Sequence, residues 1–462
     1  MAVPAQIVKK IREIVGPDGL LAHAELATRD PGVDPHNFGA DLLVRPADTD
    51  QVSQVLAHCQ TARIGVVPQG GRTGLAGGAA THPGEVIVSL ERFNRIDSLD
   101  PISRTVVLGA GVTLTVLERA AAEHGLSPGI DFGGRDSATI GGMISTNAGG
   151  VAAFRHGTMR ERVLGLEVVL PDGSVLTELG RVRKHNEGLA VQQLFIGAEG
   201  TLGVITRVAL ALVPIDGPAA TALVAVPDLN RAVTLCDTLQ RSPALVVGAI
   251  EIMSGNHVEA TVRAAGVGEF RSLAAAAYVV LVEASASSVE GPGHELVAVL
   301  GTAAEAGVID DAVVAQNDAQ RQLMWRIRED WAVDRERPGG LWYDVSVPLS
   351  ALPSYLAAFS ARLQGHDASL ALYVIGHLAD GNVHLTVNAP HPIPERYEEI
   401  ARLVTADLAK AGGSFSAEHG IGLEKKATLA RLAGPVKLDL MRRIKRAFDP
   451  HGIMNPGKVV PD

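Results

Sequence analysis

Glycine is gathered into runs along this chain, and those runs limit its fold more than any other feature. The chain has 462 residues, 50 of them glycine. The first run, PQGGRTGLAGG at 68–78, sets five glycines in eleven residues directly after a short apolar strand expected at 64–67. Such spacing exposes a row of backbone N–H groups, a concavity suited to an anion such as a pyrophosphate, and Thr73 adds a hydroxyl. The second run, SATIGGMISTNAGG at 137–150, holds the polar pair Thr146-Asn147 between Gly141-Gly142 and Gly149-Gly150. Thr and Asn are poor choices for a dry helix–sheet contact, so the run reads as ligand-facing, with close packing as the alternative. The third, FIGAEGTLGVIT at 195–206, leads small residues into a β-branched strand and suits a flat ring lying on backbone.

The length exceeds what one core usually serves, which predicts two domains. Strands at 42–44, 85–90, 105–108, 163–170 and 175–179 and a helix at 50–61 fill the first part, and PDGS at 171–174 marks a hairpin. Past the prolines at 214 and 218 the texture changes. Helices (229–239, 291–306) alternate with strands (244–251, 277–283), which predicts an α+β domain with helices on one face of an antiparallel sheet. Cofactor-type glycines return only after Gly412. The expected division is therefore 1–216, 217–411 and a return segment 412–462 completing the first domain.

Composition excludes several classes. Net charge is −10 with no basic stripe, since Lys437–Arg446 reads as the solvated face of a helix, so no nucleic-acid partner is expected. Two cysteines, Cys59 and Cys236, have no CxxC spacing, which fits a reduced compartment. The N-terminus MAVPAQIVKKIREIVG shows no secretion signal, and the most apolar stretch, 273–282, is too short to cross a bilayer. A cytoplasmic location follows as the expectation, with peripheral attachment to a membrane left open.

The segment IGHLADGNVHL at 375–385 is the most informative in the chain. If Asp380-Gly381 is a two-residue hairpin turn, His377 faces His384 on one sheet face, and opposite imidazoles can share a metal. A lone His is more often structural, so the pairing is what raises the ligand reading. Glu418, in SAEHGIG at 416–422, offers the carboxylate of an open two-His, one-carboxylate site; a surface ion pair is the alternative. Arg328 or its neighbour Arg326 is suited to clamp a carboxylate. VVLGAG at 106–111 imitates a nicotinamide fingerprint, but Leu114 stands where its third glycine belongs.

Taken in order, PQGGRTGLAGG (68–78), IGGMISTNAGG (140–150), VLGLEVVLPDGSV (163–175), LFIGAEGTLGVIT (194–206) and FDPHGIMNPGK (448–458) resemble the vanillyl-alcohol-oxidase/p-cresol-methylhydroxylase flavoprotein superfamily. The branch most resembled is that of the D-lactate, glycolate and D-2-hydroxyglutarate dehydrogenases. The resemblance implies an α+β fold, with a two-subdomain FAD-binding domain and a substrate (cap) domain carrying an antiparallel sheet. It places FAD against Pro68, Gly70, Gly71, Arg72, Thr73, Gly74, Gly77 and Gly78, then Ser137, Gly141, Gly142, Thr146, Asn147, Gly149 and Gly150, and finally Glu199, Gly200, Val204, Ile205 and Asn455. No His or Cys lies between 68 and 78, so FAD is expected without a covalent link. It further implies His377, His384 and Glu418 as ligands of a divalent metal (zinc, or else manganese or iron), His419 as the base and Arg328 as the carboxylate anchor.

Two departures bear on substrate. Where members reading a second carboxylate carry Lys this chain has Trp342, beside Tyr343, and where they tend to carry Asn it has Thr386. Losing a cation and gaining an indole favours a D-lactate-like or apolar-tailed monocarboxylate over 2-hydroxyglutarate. The expected reaction is oxidation of a small D-2-hydroxy acid to the 2-oxo acid, with a quinone or an electron-transfer flavoprotein among the candidate acceptors and a homodimer as one candidate assembly. The rivals are D-2-hydroxyglutarate dehydrogenase, a metal-free flavin alcohol oxidase, a non-catalytic flavin-binding protein, and a flavin-free metallohydrolase.

Overall fold

The computed structural model describes residues 2–461. The chain divides into two compact units: Met1–Gly150, His156–Ile215 and Glu418–Asp462 form one, and Val151–Arg155 with Asp216–Ala417 the other.

The first unit holds a four-stranded sheet in the order Leu20–Ala22, Leu42–Val44, Val86–Ser89, Val66–Gln69, with the last three parallel. These are short runs of buried apolar residues, as strands covered on both faces must be. Helix Thr49–Ala62 begins where the Asp48 carboxylate accepts the Gln51 N–H at 2.8 Å, and it packs Val52, Val55, Leu56 and Cys59 onto the core of that sheet. A five-stranded antiparallel sheet follows, in the order Ile96–Asp100, Thr105–Gly109, Val204–Ala211, Val163–Val169, Val175–Glu178. Thr105–Gly109 is antiparallel to both neighbours, which removes the nicotinamide reading, because that fingerprint needs a parallel βαβ unit. Gly109 and Gly111 serve packing instead: a Cβ there would meet the carbonyl oxygens of Phe93 and Leu90 at 2.2 and 2.0 Å.

The return segment is stitched to the parallel sheet. Val66 N–H donates to Ile453 O at 2.7 Å, and Asn455 N–H donates to Val66 O at 2.8 Å.

The second unit is built on a seven-stranded sheet. Its strands are β1 (Ala219–Val226), β2 (Val246–Ser254), β3 (Tyr278–Ser285), β4 (Asp311–Val314), β5 (Leu341–Ser346), β6 (Ala371–His377) and β7 (Asn382–Asn388), ordered β4-β1-β3-β2-β6-β7-β5, all antiparallel. Helices α1 (Leu229–Arg241), α3 (Pro292–Glu305), α5 (Leu352–His366) and α6 (Tyr397–Thr405) cover one face and bury the larger core. The expectation of helices on one face only is corrected here. Helices α2 (Gly255–Ala265) and α4 (Asp318–Glu329) cover the other face over β1, β3 and β2, where Leu223, Leu281 and Met253 pack on Val258, Val262, Met324 and Ile327. That second face is apolar under the helices and turns polar along β6, β7 and β5, where the candidate site lies. No helix among the described residues is long and apolar enough to cross a membrane.

Candidate active site

In the first unit the three glycine runs converge. A Cβ on Gly70 would lie 2.1 Å from Thr139 Oγ1, and one on Gly71 1.9 Å from Ser137 O, so glycine at 70 and 71 is what lets the first run lie on the second. Gly200 of the third run sits on Pro68, and Gly78 faces the Glu199 carboxylate. Asn455 Nδ2 donates to Gly78 O at 2.9 Å and to Glu199 O at 2.6 Å, tying the return segment to both runs. Asn147 takes a left-handed conformation at the end of helix Ile140–Thr146, and its Oδ1 accepts from Thr158 Oγ1 and Arg160 N. Arg72 also has positive φ, with its guanidinium 5.0 Å above the Phe38 ring.

This cradle fits a flavin nucleotide. Thr139 Oγ1 and Arg72 Nε are buried yet meet no partner, and a Cβ on Gly74 would meet open space. Buried polar atoms are normally satisfied, so orphaned donors beside glycine backbone mark where a polar ligand belongs. The side chains of Val204 and Ile205 are spent in two different cores, because alternate residues of a strand face opposite ways, so only their backbone remains to meet a ring.

The return segment reaches these runs at Glu418, whose Oε2 accepts the Gly150 N–H at 3.0 Å. Glu199 receives the N–H groups of Ile421 and Gly422 at 2.7 and 3.0 Å. Its burial pushes the carboxyl above the usual carboxylate range, and the two N–H groups oppose that shift. Segment 418–422 is thereby fixed on the second and third runs.

In the second unit the hairpin differs in register from the sequence expectation. Residues 378–381 form the link, with a 3₁₀ turn at Leu378–Asp380 closed by Gly381 at φ 74°. His377 therefore pairs with Asn382, and His384 with Ile375. The slip is two residues, not one, so both imidazoles keep the same face and become diagonal neighbours, with ring centroids 5.5 Å apart. Gly381 permits this link by packing on Val347 O, which a Cβ would approach to 2.0 Å.

Two carboxylates the sequence reading missed stand beside these rings. Glu251 on β2 is opposite His377, and its Oε1 lies 2.8 Å from His377 Nδ1. Asp344 on β5 is opposite His384, its Oδ1 3.6 Å from His384 Nδ1 and 2.8 Å from Asn382 Nδ2. Both acids are fully buried. Glu251, receiving Nδ1–H of His377, fixes the neutral tautomer that carries its lone pair on Nε2, the arrangement by which imidazoles hold metals, whereas Asp344 at 3.6 Å is a charged neighbour of His384 and not its hydrogen-bond acceptor. The donor set on this face therefore fits a divalent cation.

Arg328 on α4 is buried and Arg326 is exposed. Arg328 Nε and Nη2 both contact Glu251 Oε2 at 2.8 Å, so that edge of the guanidinium is used inside the protein. Trp342 and Thr386 share the imidazole face, one residue pair further along the strands, and Trp342 is 40% exposed. Tyr343 does not join them. It points to the opposite face, stacks on Tyr397 at 5.1 Å and donates its hydroxyl to Tyr397 O at 2.8 Å.

Comparison with known proteins extends these observations. A family model described as FAD binding domain matches residues 40–178, and one described as FAD linked oxidases, C-terminal domain, matches 217–459. The mitochondrial D-2-hydroxyglutarate dehydrogenase of Rattus norvegicus is 35% identical over 428 residues, covering 91% of this chain and 78% of that one. The D-2-hydroxyglutarate dehydrogenase of Xanthomonas citri pv. viticola is 35% identical over 424 residues, covering 90% and 88%. The solved structure of p-cresol methylhydroxylase with substrate bound superposes with TM-score 0.76 at 19% identity, covering 100% and 98%, and it shares the fold.

Proposed function

The chain belongs to the FAD-linked oxidases and is an FAD-dependent D-2-hydroxy-acid dehydrogenase of the D-2-hydroxyglutarate/D-lactate type, and from that premise we propose that it oxidises a D-2-hydroxy monocarboxylate, with His377, His384 and Glu418 as metal ligands, His419 as base and Arg328 as carboxylate anchor. The observation carrying this reading is the pair of imidazoles on one sheet face, one hydrogen-bonded to the buried Glu251 carboxylate and the other beside the buried Asp344.

Bound FAD, held without a covalent link, supplies a two-electron acceptor for the C2 hydride. A divalent metal, zinc first and manganese or iron as alternatives, supplies charge that acidifies the substrate hydroxyl. His377, His384 and Glu418 would hold that cation, with Glu251 orienting His377 through its Nδ1. His419 takes the hydroxyl proton as the C2–H bond breaks, a step worth roughly 10²–10⁴ in rate, and the product is the 2-oxo acid. Arg328 offers the substrate carboxylate the guanidinium edge that Glu251 does not use. The electron acceptor would be a quinone or an electron-transfer flavoprotein, in a cytoplasmic or membrane-peripheral setting.

The names of the relatives favour D-2-hydroxyglutarate as a second reading; Trp342 in place of a cation opposes it. The test is anaerobic mixing with D- and L-2-hydroxy acids while flavin absorbance is followed. Bleaching by D-acids, lost in His419→Ala protein that stays yellow and metal-loaded, is the expected result. Bleaching by none, or full turnover in His419→Ala, ends the reading.

A further inference from the structure

Tryptophan is rarely left in solvent, yet two indoles are half-exposed together on the second unit, Trp331 at 52% and Trp342 at 40%. Their ring centroids are 5.2 Å apart at 63°, edge to face. Trp342 is pinned as well, its Nε1–H donating to Asp334 Oδ1 at 2.7 Å, so the pair is a fixed ledge and not a mobile side chain.

The sheet register places this ledge relative to the imidazoles. Trp342, Thr386 and Tyr373 form one cross-strand row, and Asp344, His384 and Ile375 form the next row on the same face. Two residues along an antiparallel strand span about 7 Å, the reach from a substrate's C2 to the far edge of an aryl group on C3. Two cations beside the ledge are paired. Arg263 is paired with Glu336 at 2.7 Å and Arg335 with Asp330 at 2.6 Å, so neither is poised to read a second substrate carboxylate.

We propose that Trp331 and Trp342 form a stacking subsite for a planar apolar group, and that the substrate class is the 3-aryl-2-hydroxypropanoates in place of lactate or a dicarboxylate. The inference rests on the reading that His377 and His384 hold the reacting hydroxyl. A ring resting on two indoles gains both apolar burial and edge-to-face contact, whereas the methyl of lactate reaches neither.

The experiment compares kcat/KM for D-3-phenyl-2-hydroxypropanoate, D-lactate and D-2-hydroxyglutarate on the FAD-loaded, metal-loaded enzyme. The aryl acid is expected to exceed both others by about tenfold or more, equivalent to about 1.4 kcal/mol. In Trp331→Ala the aryl-to-lactate ratio should drop several-fold. Inhibition of the wild-type enzyme by 3-phenylpropanoate against glutarate gives a readout independent of whether the variant folds, with tighter binding of the aryl acid expected. Equal or better turnover of lactate or 2-hydroxyglutarate, or stronger inhibition by glutarate, overturns the inference while leaving the dehydrogenase reading intact. Flavin that none of the three acids bleaches removes the reading beneath it.

Discussion

Glu251→Gln is the most revealing single change. The carboxylate is completely buried, it holds Arg328 through two 2.8 Å contacts, and its other oxygen meets His377 Nδ1 at 2.8 Å. Glutamine keeps the shape but loses the charge, and it offers one acceptor oxygen where two donors converge. Removing one partner of a buried ion pair costs about 3–5 kcal/mol because the other charge stays buried, and the retained acceptor recovers part of that. A net loss of about 3 kcal/mol in a unit of this size corresponds to roughly 6–12 °C in Tm. Calorimetry following the transition of the second unit would read it. Adding Arg328→Met removes the stranded cation, so the double variant should be more stable than Glu251→Gln alone by at least about 1 kcal/mol. Zinc affinity, read by competition with a chelator, should weaken about 10–100-fold because His377 loses its orienting partner. A melting point within a degree of wild type, or a double variant showing the plain sum of the two losses, would refute the reasoning.

Two other expectations follow from buried groups. His257 on α2 is pushed down to about 4, chiefly by burial and then by the nearby Arg328 charge. Its folded value lies below the ordinary one of 6.5, so stability present above that pH is lost as pH falls toward 4, by about 3 kcal/mol in all. Thermal melts from pH 7 to 4 should show this slope shrinking in His257→Gln; identical slopes would rule it out. Gly71→Ala forces a Cβ to within 1.9 Å of Ser137 O, so the first and second runs must part. The purified variant should retain at most about a tenth of the wild-type FAD content, an overpacking cost of about 1–3 kcal/mol, and unchanged yellow protein would show that the contact is not needed.

How much of this was legible beforehand depends on whether a feature is local or assembled. The glycine runs, the helix after the second strand and the strands around them are set by nearby residues, and the structure carries them within two residues or so. The hairpin was legible as a hairpin, but its register was not, because the 3₁₀ turn at Leu378–Asp380 depends on how Gly381 packs against Val347. Glu251 gave no local signal: it lies 126 residues from His377 and is brought beside it by strand order alone. Asp344 could have been found. It stands two residues from Trp342 on a strand, so a residue placed at the substrate face implies its second neighbour there too, and the same alternation already excludes Tyr343.

The stitching of Ile453 and Asn455 to Val66 bears on how the chain matures. Synthesis runs from the N-terminus and domains fold as units, but the parallel sheet under the first glycine run receives its last partners only after the whole second unit has been made. The second unit, a continuous stretch apart from Val151–Arg155, can settle earlier. A nascent chain would therefore hold the loops of its nucleotide cradle unlatched until Ile453 and Asn455 are made, and a chain stopped before them would have all three glycine runs intact and no clasp to keep its cofactor.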